Sequence, residues 1–268
     1  MGTMDYSAAF RRYQQVRSLS RNTIRRRAVT LGQFTAWIAP LTLLEATGDL
    51  IDEWLGTYTC AATKRAYRSD LMAFFTWAAK RDLCPNPVLR TDSVKVPKPL
   101  PRPVPAAYLE AVLASAPPDV RVMIALAAYA GLRRAEIAAL DAGDIDLTSD
   151  TPTLAVRAGK GNKDRIVPIH PDLAAILRTR PRHGPIVGLS ESTVGHKVAA
   201  HLRSLGIEAT AHKLRHTFGT ELARATEGNI ILIATLMGHS DIATSMGYIG
   251  WAGGPGADAV AAMYPLAA

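Results

Sequence analysis

Apolar residues recur at three- and four-residue spacing through Ile24, Ala28, Leu31, Phe34 and Ile38, which puts one buried face on a helix that Ser20 can cap. A second run, Tyr67, Leu71, Phe74 and Ala78, predicts a helix over about Thr63 to Lys80. The two share a pattern at an offset of 40 residues: Thr23, Arg25, Leu31, Phe34 and Trp37 recur as Thr63, Arg65, Leu71, Phe74 and Trp77. Two copies do not make a solenoid, so the likeness predicts two helices packed in similar roles. Further on, Asp119 to Ala130 reads as an apolar, buried helix; Gly131 breaks it, and a second helix holds Arg133 to Leu140. Thr153 to Arg157 and Arg165 to Ile169 read as strands joined by Ala158-Gly159-Lys160-Gly161-Asn162-Lys163-Asp164, a hairpin whose glycines and Asn162 supply the turn and whose tip is basic. Helices follow at about Pro171 to Arg180, Thr193 to Leu205, His212 to Ala225, Ile230 to Met237 and Asp241 to Tyr248. One small sheet among many helices is a mainly α (α+β) pattern.

Between the two helical regions lie Pro87, Pro97, Pro99, Pro101, Pro103 and Pro105, interspersed with Lys95, Lys98 and Arg102. Proline at this density suits neither a helix interior nor a central strand, so Asn86 to Pro105 reads as an extended, semi-rigid, basic connection. The expected organisation is a helical domain over 1–90, a linker over 91–105 and a second, mixed domain over 106–268.

Charge narrows the choice of partner. A formal charge of +8 on 268 residues, with a pI near 9.7, favours an anionic partner, and nucleic acid is the commonest. Both predicted N-terminal helices start with cations, Arg21, Arg25 and Arg26 on the first and Lys64, Arg65 and Arg68 on the second. The helix dipole makes cations there slightly unfavourable, and a bound phosphate relieves that cost; a solvated basic face is the plainer reading. The two cysteines, Cys60 and Cys84, supply neither a disulfide framework nor a four-ligand zinc site. No apolar run reaches membrane-spanning length and no signal peptide is evident, so the expected location is cytoplasmic, without membrane contact.

Four segments carry candidate chemistry: Gly131-Leu132-Arg133-Arg134-Ala135-Glu136, the hairpin tip with Lys160 and Lys163, His212-Lys213-Leu214-Arg215-His216, and Gly238-His239-Ser240-Asp241 followed by Tyr248. Singly, each has a plain reading. Arg133 could cap a helix, Lys160 could be an exposed turn lysine, and Tyr248 could be core. His212 and His216 at i and i+4 would also suit a metal, but the glutamate of a His-Glu-x-x-His motif is missing. Together they suit attack on a phosphodiester. Two guanidiniums neutralise charge that builds at phosphorus, histidines donate or move a proton, a lysine protonates the leaving oxygen, and a tyrosine is a usable nucleophile. No acidic cluster stands ready for magnesium, so cationic side chains take the metal's role and no cofactor is expected.

The order and wording of these segments resemble the tyrosine recombinase (phage integrase) family, which includes Xer-type resolvases, over most of the chain. The resemblance implies that Arg133, Lys160, His212, Arg215, His239 and Tyr248 are catalytic and that Glu136 supports them. It implies a core-binding N-terminal domain, with Arg21, Arg25, Lys64, Arg65 and Arg68 on DNA, and a clamp of two domains around double-stranded attachment sites. It further implies a homotetramer on paired sites, with a tail from Gly253 that docks on a neighbour. The core-binding pattern begins almost at Tyr6, so an arm-binding module is expected to be absent and direction to be set by the site sequence or an accessory protein. Integration of a phage or mobile element is the main expectation. Xer-type dimer resolution, relaxation of the type IB topoisomerase kind and an inactive DNA-binding regulator are the alternatives.

Overall fold

The structure, a computed structural model, describes residues 6–96, 104–157 and 164–239. The chain divides into two compact units, Met1–Lys98 and Pro99–Ala268.

The first unit is built of four helices: α1 (Tyr6–Val16), α2 (Arg21–Ile38), α3 (Gly48–Gly56) and α4 (Ala61–Ala79). Ser20 starts α2 by accepting the Thr23 N–H at 3.1 Å, and Thr47 starts α3 by accepting the Leu50 N–H at 3.3 Å. Their apolar faces enclose an aromatic core. Phe10 meets Phe74 edge-on with ring centroids 5.4 Å apart, and Phe34 lies 5.0 Å from Trp54. The 40-residue likeness is only partly structural. Leu31, Phe34, Leu71 and Phe74 are all buried, but Trp77 is 3% exposed and its counterpart Trp37 is 37% exposed.

One acid lies in this core. Asp70 is fully buried, accepts Arg26 Nη2 at 2.7 Å and Thr30 Oγ1 at 3.0 Å, and so ties α4 to α2. The stretch expected to be extended from Asn86 onward is instead folded at its start. Asn86 caps a short 3₁₀ turn at Pro87–Arg90, and Val88 is buried. The Pro97 to Pro103 portion of the expected linker lies outside the described residues.

The second unit opens with α5 (Ala106–Ser115) and α6 (Pro118–Tyr129). Val122 to Ala127 of α6 are all buried, so this helix is apolar around its circumference and forms the pillar on which α8, α9 and α10 pack. Helix α7 (Arg134–Ala139) leads to a three-stranded antiparallel sheet, β1 (Ile145–Asp146), β2 (Thr153–Val156) and β3 (Arg165–Pro168). Leu154 pairs with Val167 and both are buried, while the neighbouring residue, Ile166, faces out. Helices α8 (Pro171–Leu177), α9 (Glu191–Ser204), α10 (Ala211–Ala225) and α11 (Ile230–Met237) complete the unit. The expected helix from Asp241 to Tyr248 and the tail from Gly253 lie outside the described residues. Among the described residues no helix is long and apolar enough to cross a membrane.

Candidate active site

The site grows from the break after α6. Gly131 takes φ +64, a conformation that favours glycine, and a Cβ there would stand 2.8 Å from Cε1 of the Phe218 ring on α10. The turn delivers Leu132 into the core and sets Arg133, in extended conformation, at the start of α7. Glu136, one turn on, reaches back to the Arg133 N–H at 2.7 Å, the carboxylate half of a capping box.

Glu136 is also where the arginines meet. It accepts Arg133 Nη1 at 2.8 Å, and it takes Arg165 as a fork, Nη1 at 3.0 Å on one oxygen and Nη2 at 2.8 Å on the other. Arg215 Nη1 lies 3.7 Å from the same carboxylate. Burial pushes the Glu136 carboxyl up, but the hydrogen bonds from Arg165 and the Arg133 N–H outweigh it and hold the group at about 2. The site thus keeps a buried negative charge among three cations.

Helix α10 presents His212, Arg215 and His216 at i, i+3 and i+4. Arg215 is 2% exposed and donates to the Gly131 and Met237 carbonyls, joining the turn after α6 to the end of α11. The His212 and His216 rings meet edge-to-face, centroids 4.4 Å apart. Helix α11 ends at Gly238, φ +60, with Gly238 N–H on Thr235 O at 3.1 Å and His239 N–H on Ala234 O at 2.9 Å, a Schellman ending that fixes where His239 begins. All three imidazoles are pushed toward the neutral form. Burial is the first cause for each, followed by Arg215 and Arg133 at His212, by His212 and Arg215 at His216, and by Arg215 and Arg133 at His239. His216 and His239 fall to about 4. A cleft of about 370 Å³ opens beside Arg133 and His212, bordered by Arg134, Glu191 and Gly195.

The structure therefore gathers Arg133, Glu136, His212, Arg215 and His239. Lys160 and Tyr248 lie outside the described residues. Among the described residues, no three His, Cys, Asp or Glu side chains form a metal-binding group. Of the N-terminal cations, Arg21 and Arg25 line an open groove with Arg11 beside α2, and Arg65 lines another with Arg26; Lys64 is half-buried. Arg68, also expected on DNA, makes hydrogen bonds inside the unit, with Nε on Thr91 Oγ1 at 2.8 Å and Nη2 on Thr91 O at 2.8 Å and Val88 O at 3.1 Å.

Sequence reasoning missed Arg165, taken only as the first residue of a strand. It is 7% exposed and belongs to the site through Glu136. The available signal was strand alternation: with Val167 inward and Ile166 outward, Arg165 must also point inward, and a buried arginine requires a partner.

The profile of the phage integrase family matches residues 107–252. Tyrosine recombinase XerA of Thermococcus kodakarensis is 35% identical over 172 residues, 58% of this chain and 60% of that protein's length. Tyrosine recombinase XerD of Ralstonia nicotianae is 29% identical over 265 residues, 86% of this chain and 84% of the relative. Among solved structures, a lambda integrase dimer bound to a core site superposes with a TM-score of 0.75 at 19% identity, covering 92% of this chain and 95% of that one, a likeness of fold.

Proposed function

The chain belongs to the phage integrase family, and on that premise we propose that it is a site-specific tyrosine recombinase that cuts and rejoins DNA through a 3′-phosphotyrosine bond. The observation that carries this reading is the meeting of Arg133 and Arg215 at the buried carboxylate of Glu136, with His212 and His239 near enough to feel both guanidiniums. A scissile phosphate gains negative charge as it is attacked, and two fixed guanidiniums stabilise that charge without reorganisation. Tyr248 Oη forms the new bond to phosphorus while the bond to the 5′-oxygen breaks. Lys160 gives that oxygen its proton, and His212, held neutral, takes the phenolic proton. His239 donates to the phosphate. The covalent bond conserves the phosphodiester energy, so a 5′-hydroxyl from a partner duplex can reverse the step without a nucleotide cofactor.

The partner on this reading is a double-stranded attachment site, recombined by a tetramer on two paired sites, with the tail from Gly253 as the connector between subunits and with the site sequence or an accessory protein setting direction. Integration of a mobile element is the main setting. Dimer resolution of the Xer type is the second, and the likeness to relatives named XerA and XerD keeps it open.

The test is to select a site from a randomised duplex pool by retention of bound DNA, assay it for a covalent adduct, and place two copies on one supercoiled plasmid. Excision or inversion between the copies is expected. Relaxation without exchange would make the protein a topoisomerase instead, and specific binding without any adduct would make it a regulator.

A further inference from the structure

Three consecutive carbonyls at the end of α11 are each held by a different arginine. Leu236 O accepts Arg165 Nε at 2.9 Å, Met237 O accepts Arg215 Nη2, and Gly238 O accepts Arg133 Nη2 at 2.8 Å. The same three arginines converge on Glu136. The last carbonyls of a helix lack intrahelical partners and carry the negative end of its dipole, so cations are favoured there. Three side chains from three separate elements on three successive carbonyls exceed what capping alone requires.

Arg165 stands apart from the other two. It is the first residue of β3, its side chain is 4% exposed, and it spends Nε on Leu236 O and both terminal nitrogens on Glu136. It also packs against Gly238. A Cβ on that glycine would stand 2.8 Å from Arg165 Nη1 and 3.1 Å from its Cδ. Arg165 thus touches, at once, the carboxylate that orients Arg133 and the turn from which His239 departs.

We propose that Arg165 is a positioning residue for strand cleavage, locking Glu136 and the end of α11 into one register so that Arg133, Arg215 and His239 address the same phosphate. This role rests on the recombinase reading above. The planar fork is what the geometry needs. A lysine at 165 would keep the charge, but its single nitrogen cannot bond both carboxylate oxygens and the Leu236 carbonyl from one position. The register of α11 would then be set by Arg215 and Arg133 alone. A reacting group displaced by about 1 Å costs about 100-fold in rate, while phosphate binding spread over the whole DNA interface is nearly unaffected.

The experiment measures site affinity, melting temperature and the single-turnover rate of adduct formation on a nicked duplex for wild type, Arg165→Lys, Glu136→Gln and the double variant. Rates are taken well below each variant's melting temperature, and Arg165→Gln replaces Arg165→Lys if the latter does not fold. The expected result is unchanged site binding by Arg165→Lys, cleavage slowed about 100-fold, and a double variant no slower than the worse single, because both act as one unit. Cleavage at the wild-type rate overturns the role. So does a loss of binding that matches the loss of cleavage, or multiplication of the two single defects. A wild type that forms no adduct at all would overturn the recombinase reading itself, a result distinct from each of these.

Discussion

Glu136 stays ionised in surroundings where burial alone would favour the neutral acid. Arg165 and the Arg133 N–H reverse that preference and hold its carboxyl at about 2, against an ordinary 4.5. A depressed carboxylate adds stability that is complete above its unfolded value and is lost as pH falls toward the folded one, so this contribution disappears between about 4.5 and 2. The histidines act in a higher window. His216 and His239 sit near 4 instead of 6.5, so the unfolded chain takes up protons that the folded chain refuses. Their contribution is full above 6.5 and is lost as pH falls toward 4. Thermal melts without DNA should therefore drop steadily across that interval, and His239→Asn should flatten part of the drop; a melting temperature constant through it would contradict the neutral imidazoles. At this scale the site was largely legible in the sequence. Arg133, Glu136, His212, Arg215 and His239 stand in motifs whose chemistry is recognisable. Arg165 was not legible, because one arginine at a strand start looks like any surface cation until its inward register is noticed.

Elements were legible where the apolar period was long and its two faces contrasted. Helices α2 and α4, with Leu31 and Phe34 or Leu71 and Phe74 buried at repeated spacing, and the β2–β3 pair fall into this class. Helix α1 buries only Phe10 and Gln14, too sparse a stripe to read, and α5 is alanine-rich with little contrast between its faces. Strand β1 has two residues, shorter than any alternation can show, and exists because Ile145 pairs with Leu154. The 3₁₀ turn at Pro87–Arg90 was hidden for a different reason: prolines signal a break, while the turn is held by Arg68 from the middle of α4, a tertiary interaction that no local pattern contains. Arg68→Ala should thus destabilise the first unit by about 1–3 kcal/mol, since Thr91 and Val88 lose a charged donor in a partly buried place. Urea titration checks this. A variant as stable as wild type but weaker on DNA would give Arg68 a role on phosphate and not in this turn.

At the scale of the whole molecule, the excess of +8 has to be placed. Arg21, Arg25 and Arg65 are exposed in the first unit, on grooves beside α2 and α4. Cations that meet phosphate release counterions, so binding should weaken steeply with salt. Replacing Arg25, Lys64 and Arg65 by alanine should flatten the slope of log affinity against log salt by about 1 for each phosphate that is no longer neutralised. The weakening should be the same on specific and random duplexes, with melting unchanged. A slope equal to wild type would make these residues a solvated face and nothing more.

The central claim, a covalent bond between DNA and Tyr248, has a direct chemical readout. The protein is trapped on a nicked duplex carrying its site, in excess chelator and without nucleotide, then digested, and the DNA-linked peptide is identified by mass spectrometry. The expected product is a 3′-phosphate on Tyr248, formed at full rate and absent from Tyr248→Phe, which still binds the site. A 3′-phosphate on Tyr264, or an adduct that appears only when magnesium is restored, would contradict it.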